Sequence, residues 1–117
     1  MENKDIIVFI SGPVTGHPDY QERFKYAENR LSDLGYVVIN PCNFIKFEEV
    51  EKLSNENDTG VYDELMKLCY ENIDNCDTVF HLKGWENSYG CSAEHCYASI
   101  KGKNFLYEEE LFGEGTT

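Results

Sequence analysis

Short apolar runs alternate along this chain with longer stretches in which apolar residues recur every three or four positions. The runs cover residues 6–10, 36–40, 78–82 and 104–107, and the periodic stretches cover 20–34, 61–75 and 90–100. Short continuous apolar runs are typical of strands buried on both faces, and helical spacing predicts amphipathic helices. Strands that alternate with helices predict a parallel sheet with right-handed crossovers.

The predicted fold class is α/β, a small doubly wound parallel sheet, flavodoxin-like or Rossmann-like, of about four to five strands flanked by helices. The chain has 117 residues, which suits one domain. We expect that domain to span residues 1–107 and residues 108–117 to form an acidic, mobile tail. Residues 42–60 are polar with few periodic apolar positions, so we expect a long loop with at most a helical turn.

Three loops follow the predicted strands, and in parallel sheets ligands bind beyond the carboxyl ends of the strands. The loops are residues 11–16, 40–43 and 82–90. The first contains two glycines and a proline, which end regular structure after the first strand. We therefore expect these three loops to converge on one crevice.

The segment from Gly84 to His95 joins a loop to a helix and carries the most chemistry. A helix that begins near Gly90 points free N–H groups toward Asn87 and Ser88, which favours an anion there. Glu94 lies about one turn into that helix, where its carboxylate could reach a sugar held by the same loop. The alternative is a capped amphipathic helix in which Glu94 is an ordinary surface acid.

Other polar and aromatic side chains border the same loops. Trp85 and Tyr89 are suited to stack on a base, with loop packing as the alternative. Asn40 could hydrogen-bond a sugar, with a turn-forming role as the alternative. The remaining histidines of interest, His17 and His95, have no paired carboxylate in sequence, and we expect them to face solvent or to cap helices.

The net charge, the cysteines and the lengths of the apolar segments limit the classes of partner that we expect. Acidic residues outnumber basic ones by 22 to 10, giving a net charge of −12. That charge disfavours nucleic acid polymers but leaves room for a small phosphorylated ligand bound by backbone N–H groups. The five cysteines are odd in number and widely spaced, without a C-x-x-C pair, so we expect reduced thiols, no metal and no cofactor. No leader-like or membrane-length apolar segment is present in the sequence, and we expect a cytoplasmic protein without membrane association.

Motifs in a fixed order resemble one family. They are residues 9–16 (FISGPVTG), 35–41 (GYVVINP), 76–79 (CDTV) and 84–88 (GWENS), followed by Gly90 and Glu94. This order resembles the nucleoside 2-deoxyribosyltransferase superfamily over roughly residues 5–107. It is most similar to the short bacterial and phage members without an assigned activity, which are related to the 2′-deoxynucleoside 5′-phosphate N-hydrolases. For a phage protein, the expected location is the host cytoplasm.

The resemblance implies a nucleoside or nucleotide pocket and N-glycosidic chemistry. Glu94 matches the nucleophile that forms a glycosyl-enzyme ester, and Ser88 matches the 5′-phosphate pocket. The implied ligand-binding residues are Phe9, Ser11, Gly12, Pro13, Thr15, Gly16, Asn40, Cys69, Trp85, Asn87, Ser88, Tyr89 and Gly90. Phe9 stands where the family usually has the tyrosine that orients the nucleophile, and Cys69 stands where it has the aspartate that assists the leaving base.

Three functions remain open. The first is a nucleotide-binding protein with weakened or lost N-glycosidase chemistry, which could sequester a nucleotide signal such as one related to ADP-ribose or a cyclic nucleotide. The second is an active N-glycosidase or deoxyribosyltransferase on deoxynucleosides or their 5′-monophosphates, with Glu94 as nucleophile. The third is an interaction module that retains only the fold. The resemblance also implies a homo-oligomer, a dimer or larger.

Overall fold

The computed structural model describes residues 5–113 and shows a parallel sheet covered by helices. The strands are β1 (Ile7–Ser11), β2 (Val37–Ile39), β3 (Thr78–His81) and β4 (Asn104–Tyr107). The helices are α1 (Tyr20–Asp33), α2 (Phe47–Asn57), α3 (Val61–Asp74), α4 (Tyr89–Ile100) and α5 (Glu108–Phe112). All four strands are parallel in the order β2-β1-β3-β4. The predicted α/β doubly wound class is therefore confirmed.

Side chains of the central strands alternate between two apolar layers, as a pleated strand requires. One layer lies between the sheet and α1 and contains the fully buried residues Val8, Ile10, Phe24, Ala27, Leu31, Phe80 and Leu82. The other lies between the sheet and helices α3 and α4 and contains Phe9, Cys69, Ile73, Cys76, Val79 and Ala98. Because β1 and β3 are buried on both faces, they read as unbroken apolar runs in the sequence.

The end of α1 shows how a single glycine sets the entry into β2. Gly35 has a φ of +98°, a left-handed conformation that glycine adopts without a steric penalty. Its N–H donates to the Ser32 carbonyl at 2.9 Å, and the Tyr36 N–H donates to the Leu31 carbonyl at 3.2 Å. This pair of bonds is a Schellman motif, which ends the helix where the sequence predicted a stop.

Helix α2 corrects the prediction of a long loop over residues 42–60. The segment contains a 3-10 turn at Pro41–Asn43 and then the eleven-residue helix Phe47–Asn57. Only Val50 and Ser54 of that helix are buried. A buried face with one apolar residue leaves almost no periodic signal in the sequence. The helix is stabilised mainly by packing against α3.

Helix α5 corrects the prediction of a mobile tail from residue 108. Its Phe112 ring packs 5.2 Å from the Phe80 ring, and the Arg30 guanidinium lies 4.4 Å from its centroid. At the other end of α5, the Glu108 carboxylate accepts from the Lys83 N–H at 2.8 Å. These contacts seat a short acidic helix on the α1 side of the sheet. The rest of the predicted tail, residues 114–117, lies outside the described residues.

Within residues 5–113, no helix combines the length and the apolar character that crossing a membrane requires.

We expect Phe112→Ala to lower the free energy of unfolding by about 2 kcal/mol, roughly half the cost of emptying a fully buried phenylalanine site. The cause is the loss of the ring packing on Phe80 and Arg30. Denaturant unfolding measures the change. The matched control is Glu110→Ala on the exposed side of α5, which should leave stability unchanged. Equal stability of both variants would show that α5 does not cover the sheet.

Candidate functional site

The candidate site lies between the carboxyl ends of β1 and β3, at the point where the order of strands in the sheet reverses. Ser11 pairs in register with His81, and the Leu82 N–H donates to the Ser11 carbonyl at 2.9 Å. The next residue, Gly12, packs so closely on Leu82 that a Cβ at this position would overlap the leucine side chain. In an open α/β sheet this point is the usual ligand crevice.

Glu94 of α4 is buried at this point, next to polar groups from two other elements. The residue is 7% exposed, and the Ser11 hydroxyl donates to its Oε1 atom at a distance of 2.5 Å. The Cys69 thiol of α3 lies beside the same carboxylate and, as a weak donor toward it, lowers its pKa. The structure thus brings together three residues singled out in the sequence, from β1, α3 and α4. It excludes the alternative in which Glu94 is a surface acid.

Burial sets the acidity of this carboxyl group. Removal from water raises the pKa of Glu94 above its ordinary value, and the hydrogen bonds from Ser11 and Cys69 offset only part of that rise. Burial and the Glu94 charge together raise the pKa of the Cys69 thiol far above its ordinary range. The thiol therefore stays protonated and remains a donor to the carboxylate. A carboxyl group with a raised pKa inside a crevice is a common feature of functional sites.

Phe9 lies beneath this arrangement and is part of the core. It is fully buried in the apolar layer that also contains Cys69 and Ile73. Phe9 and Ser11 are two positions apart on β1, so they point to the same face of the sheet. The hydroxyl that contacts Glu94 therefore comes from the residue at the end of the strand, one step closer to the crevice.

The first turn of α4 is capped, as in the alternative interpretation of this segment, and phosphate contact by Ser88 stays a prediction. The Ser88 hydroxyl accepts from the Cys91 N–H at 3.3 Å, which makes Ser88 the N-cap of a helix that begins at Tyr89. Beside it, a Cβ placed on Gly90 would lie 2.8 Å from the Tyr62 hydroxyl and 3.9 Å from the Ser88 hydroxyl. Asn87 is exposed, and Tyr89 is 92% exposed.

The other predicted binding residues have partners other than Glu94 or are exposed. Pro13 is buried, whereas Thr15 and Gly16 form an exposed turn closed by a bond from the His17 N–H to the Val14 carbonyl at 3.0 Å. Asn40 is buried, but its amide donates to Glu28 of α1 at 3.0 Å and its oxygen accepts from the Cys42 N–H at 3.0 Å. Asn40 thus has the turn-forming partners of its alternative role, and ligand contact by these residues stays a prediction.

An aromatic cluster fills the space between β3, β4 and α4. His81 is fully buried, its Nε2 atom lies 3.0 Å from Nδ1 of His95, and its ring stacks 4.1 Å from the Trp85 ring. His95 stacks 4.3 Å from Phe105, so it is part of this cluster and is not a solvent-facing or capping residue. Burial and the neighbouring His95 lower the pKa of His81 to about 3. The Trp85 ring stacks on His81 and His95. This contact is the loop packing that was given as the alternative to stacking on a base.

A groove of about 410 Å³ is lined by residues of α2, α3 and α4, and Glu94 is not part of its lining. Its walls include Leu53, Glu71, Asp74 and the stacked rings of Tyr70 and Tyr97, whose centroids are 4.2 Å apart. The groove is open and its charged walls are mostly acidic, and neither Ser11 nor Cys69 lines it. We therefore place the candidate site at Glu94.

Two residues near the site were missed in the sequence. Tyr62 opens α3 in a polar stretch, and His81 sits inside an apolar run. A usable signal for Tyr62 was its spacing of seven residues from Cys69, which places both on one face of a helix. Within residues 5–113, no group of three or more His, Cys, Asp or Glu side chains is arranged to hold a metal ion.

We expect Glu94→Gln to raise the free energy of unfolding at pH 7. The folded-state pKa of Glu94 lies above the ordinary value of 4.5 because the group is buried, so ionising it at neutral pH opposes folding. The gain should shrink as the pH falls through the folded-state pKa and vanish below the ordinary value. Denaturant unfolding across pH tests this, with Glu51→Gln on exposed α2 as the control for net charge. A destabilised Gln variant at pH 7 would contradict the account.

Acid should destabilise the protein through His81. Unfolded histidine takes up a proton near pH 6.5, whereas folded His81 has a pKa of about 3, so stability falls as the pH drops between these values. His81→Phe keeps a ring in the stack and should flatten this part of the pH profile of unfolding. An identical acid slope in the wild type and His81→Phe would disprove the assignment.

One of the three comparisons with known proteins gives a match. No curated protein and no solved structure matches the chain. The model of one family, described as "Domain of unknown function (DUF4406)", matches residues 6–107. That range runs from the start of the sheet to the end of β4 and includes every residue around Glu94. The chain therefore belongs to the DUF4406 family.

Proposed function

We propose that this protein binds a nucleotide in the crevice between β1, α3 and α4 and turns it over slowly or not at all. The observation that carries the proposal is the buried Glu94 carboxylate, fixed by the Ser11 hydroxyl at 2.5 Å at the point where open α/β sheets bind ligands. A carboxylate and a hydroxyl suit the hydroxyl groups of a sugar. The resemblance to the nucleoside 2-deoxyribosyltransferase superfamily supports a nucleoside or nucleotide as the ligand class.

The same geometry supports weak chemistry. A retaining glycosidase needs an ionised nucleophile and a second acidic group that protonates the departing base. Burial raises the pKa of Glu94, so at a given pH a smaller fraction is ionised than for an exposed glutamate, and the Cys69 thiol has a pKa too high for proton transfer to a base. Phe9 has no hydroxyl to assist. Each missing acid or base costs about 10²–10⁴-fold in rate.

Binding without turnover suits a protein that sequesters a nucleotide signal. A ligand related to ADP-ribose or a cyclic nucleotide combines a sugar with a phosphate and a base. By the resemblance, the loops after β1 and β3 bind these groups. The net charge of −12 opposes long polyanions, whereas N–H groups in the first turn of α4 favour a single phosphate locally.

One observation favours an active N-glycosidase or deoxyribosyltransferase as the second candidate. In the nucleoside 2-deoxyribosyltransferase superfamily, which the sequence resembles, a tyrosine orients the nucleophile. Here the Ser11 hydroxyl hydrogen-bonds Glu94 and can take over that role. In this candidate Glu94 is the nucleophile and an unusual group or the solvent protonates the base. The two candidates differ in whether free base accumulates.

Binding is tested by calorimetry with the four deoxynucleoside 5′-monophosphates, ADP-ribose and cyclic nucleotides. We expect at least one of them to bind, and we expect Ser11→Ala to weaken that binding by about tenfold because the carboxylate loses its orienting donor. Ser99→Ala, on the exposed side of α4, should bind like the wild type. A wild-type protein that binds none of these probes would refute the proposal and leave an interaction module.

Turnover is followed by chromatography of the same mixtures. We expect the nucleotide to remain intact after hours with stoichiometric protein. Release of free base by the wild type and its loss in Glu94→Gln would establish the active enzyme and overturn the first candidate.

A further inference from the structure

Tyr62 of α3 lies against the first turn of α4. It lies in the first turn of α3, seven residues before Cys69, so both side chains lie on the face of α3 that is turned toward α4. Its hydroxyl lies 2.8 Å from the position that a Cβ of Gly90 would occupy. Any side chain at position 90 would take the space that the tyrosine uses.

Gly90 and Glu94 are four residues apart on α4 and therefore lie on one face, with about 5–6 Å between their Cβ positions. Helical side chains lean toward the N-terminus, so the Glu94 side chain leans toward the Tyr62 hydroxyl. The Tyr62 hydroxyl and the Glu94 side chain therefore lie on the same side of α4.

The Tyr62 hydroxyl is free to serve a ligand. Within residues 5–113 it has no hydrogen-bond partner, and Tyr62 is 52% exposed. Its closeness to Glu94 has independent support, since burial and then the Glu94 charge raise the pKa of Tyr62. An unpaired donor therefore stands beside a carboxylate that can accept.

Building on the nucleotide-binding function proposed above, we propose that Tyr62 is a specificity-determining residue that, together with Glu94, recognises a sugar hydroxyl of the bound nucleotide. A hydroxyl group donates one proton and accepts at its lone pairs, so it can donate to Glu94 and accept from Tyr62 at the same time. This pair of groups therefore selects nucleotides that have a free sugar hydroxyl over those that lack it.

Calorimetry with two probes tests the pair. They are the deoxynucleoside 5′-monophosphate that binds most tightly and its 2′,3′-dideoxy analogue, which lacks the sugar hydroxyl. We expect the wild type to bind the dideoxy probe about tenfold more weakly. Tyr62→Phe should bind the deoxy probe about tenfold more weakly than the wild type does and should bind both probes almost equally.

Two further variants sharpen the test. Gly90→Ala keeps the tyrosine hydroxyl but displaces it, and it should reproduce the loss of discrimination in a helix that alanine favours. Tyr26→Phe, an equally conservative change on α1, should retain the wild-type discrimination. Unchanged melting temperatures of Tyr62→Phe and Gly90→Ala establish that the variants are folded.

The outcomes separate this inference from the function on which it rests. A wild type that binds no nucleotide overturns both. A wild type that binds the deoxy probe while Tyr62→Phe retains full discrimination overturns only the role of Tyr62. An equal loss of affinity for both probes in Tyr62→Phe would also overturn it, because that pattern indicates packing without hydroxyl recognition.

Discussion

The burial of the Glu94 carboxylate is the constraint around which the site is built. A carboxyl group out of water needs hydrogen-bond donors, since an unpaired buried charge is costly. Here the donors come from Ser11 at the end of β1 and Cys69 on α3, while the carboxylate belongs to α4. The three elements must therefore keep their positions relative to one another. The same burial raises the pKa of Glu94, which couples the fold to the protonation of the site.

The doubly wound topology explains how these groups meet. Because β1 and β3 are neighbours in the middle of the sheet, the loop after each strand leaves at the same edge. Gly12 allows the first loop to pass tightly over Leu82, and Gly90 leaves room for the Tyr62 hydroxyl. Small residues thus bring the backbone of two loops and a tyrosine close to one carboxylate. The histidine cluster behind α4 fills the space toward β4 with aromatic rings.

The sequence predicts the sheet and the large helices well, because β1 and β3 are buried on both faces and α1 and α3 have regular apolar stripes. It misses α2, which buries only Val50 and Ser54, and α5, whose five residues are mostly acidic. It places Glu94 correctly on a helix, but the depth of burial depends on packing between elements that are distant in sequence. The donors Ser11 and Cys69 lie 83 and 25 positions away, and the facing Tyr62 lies on a separate helix. No local pattern reports such contacts.

The central claim is that Glu94 is a buried, donor-held carboxyl group that faces a nucleotide. It is tested most directly by an NMR titration of the Glu94 side-chain carboxyl carbon in the free protein and with a bound deoxynucleoside 5′-monophosphate. The account predicts a pKa above the ordinary glutamate value in the free protein and a shifted carboxyl resonance when the nucleotide is added. An ordinary pKa, together with a resonance that no nucleotide moves, would contradict it.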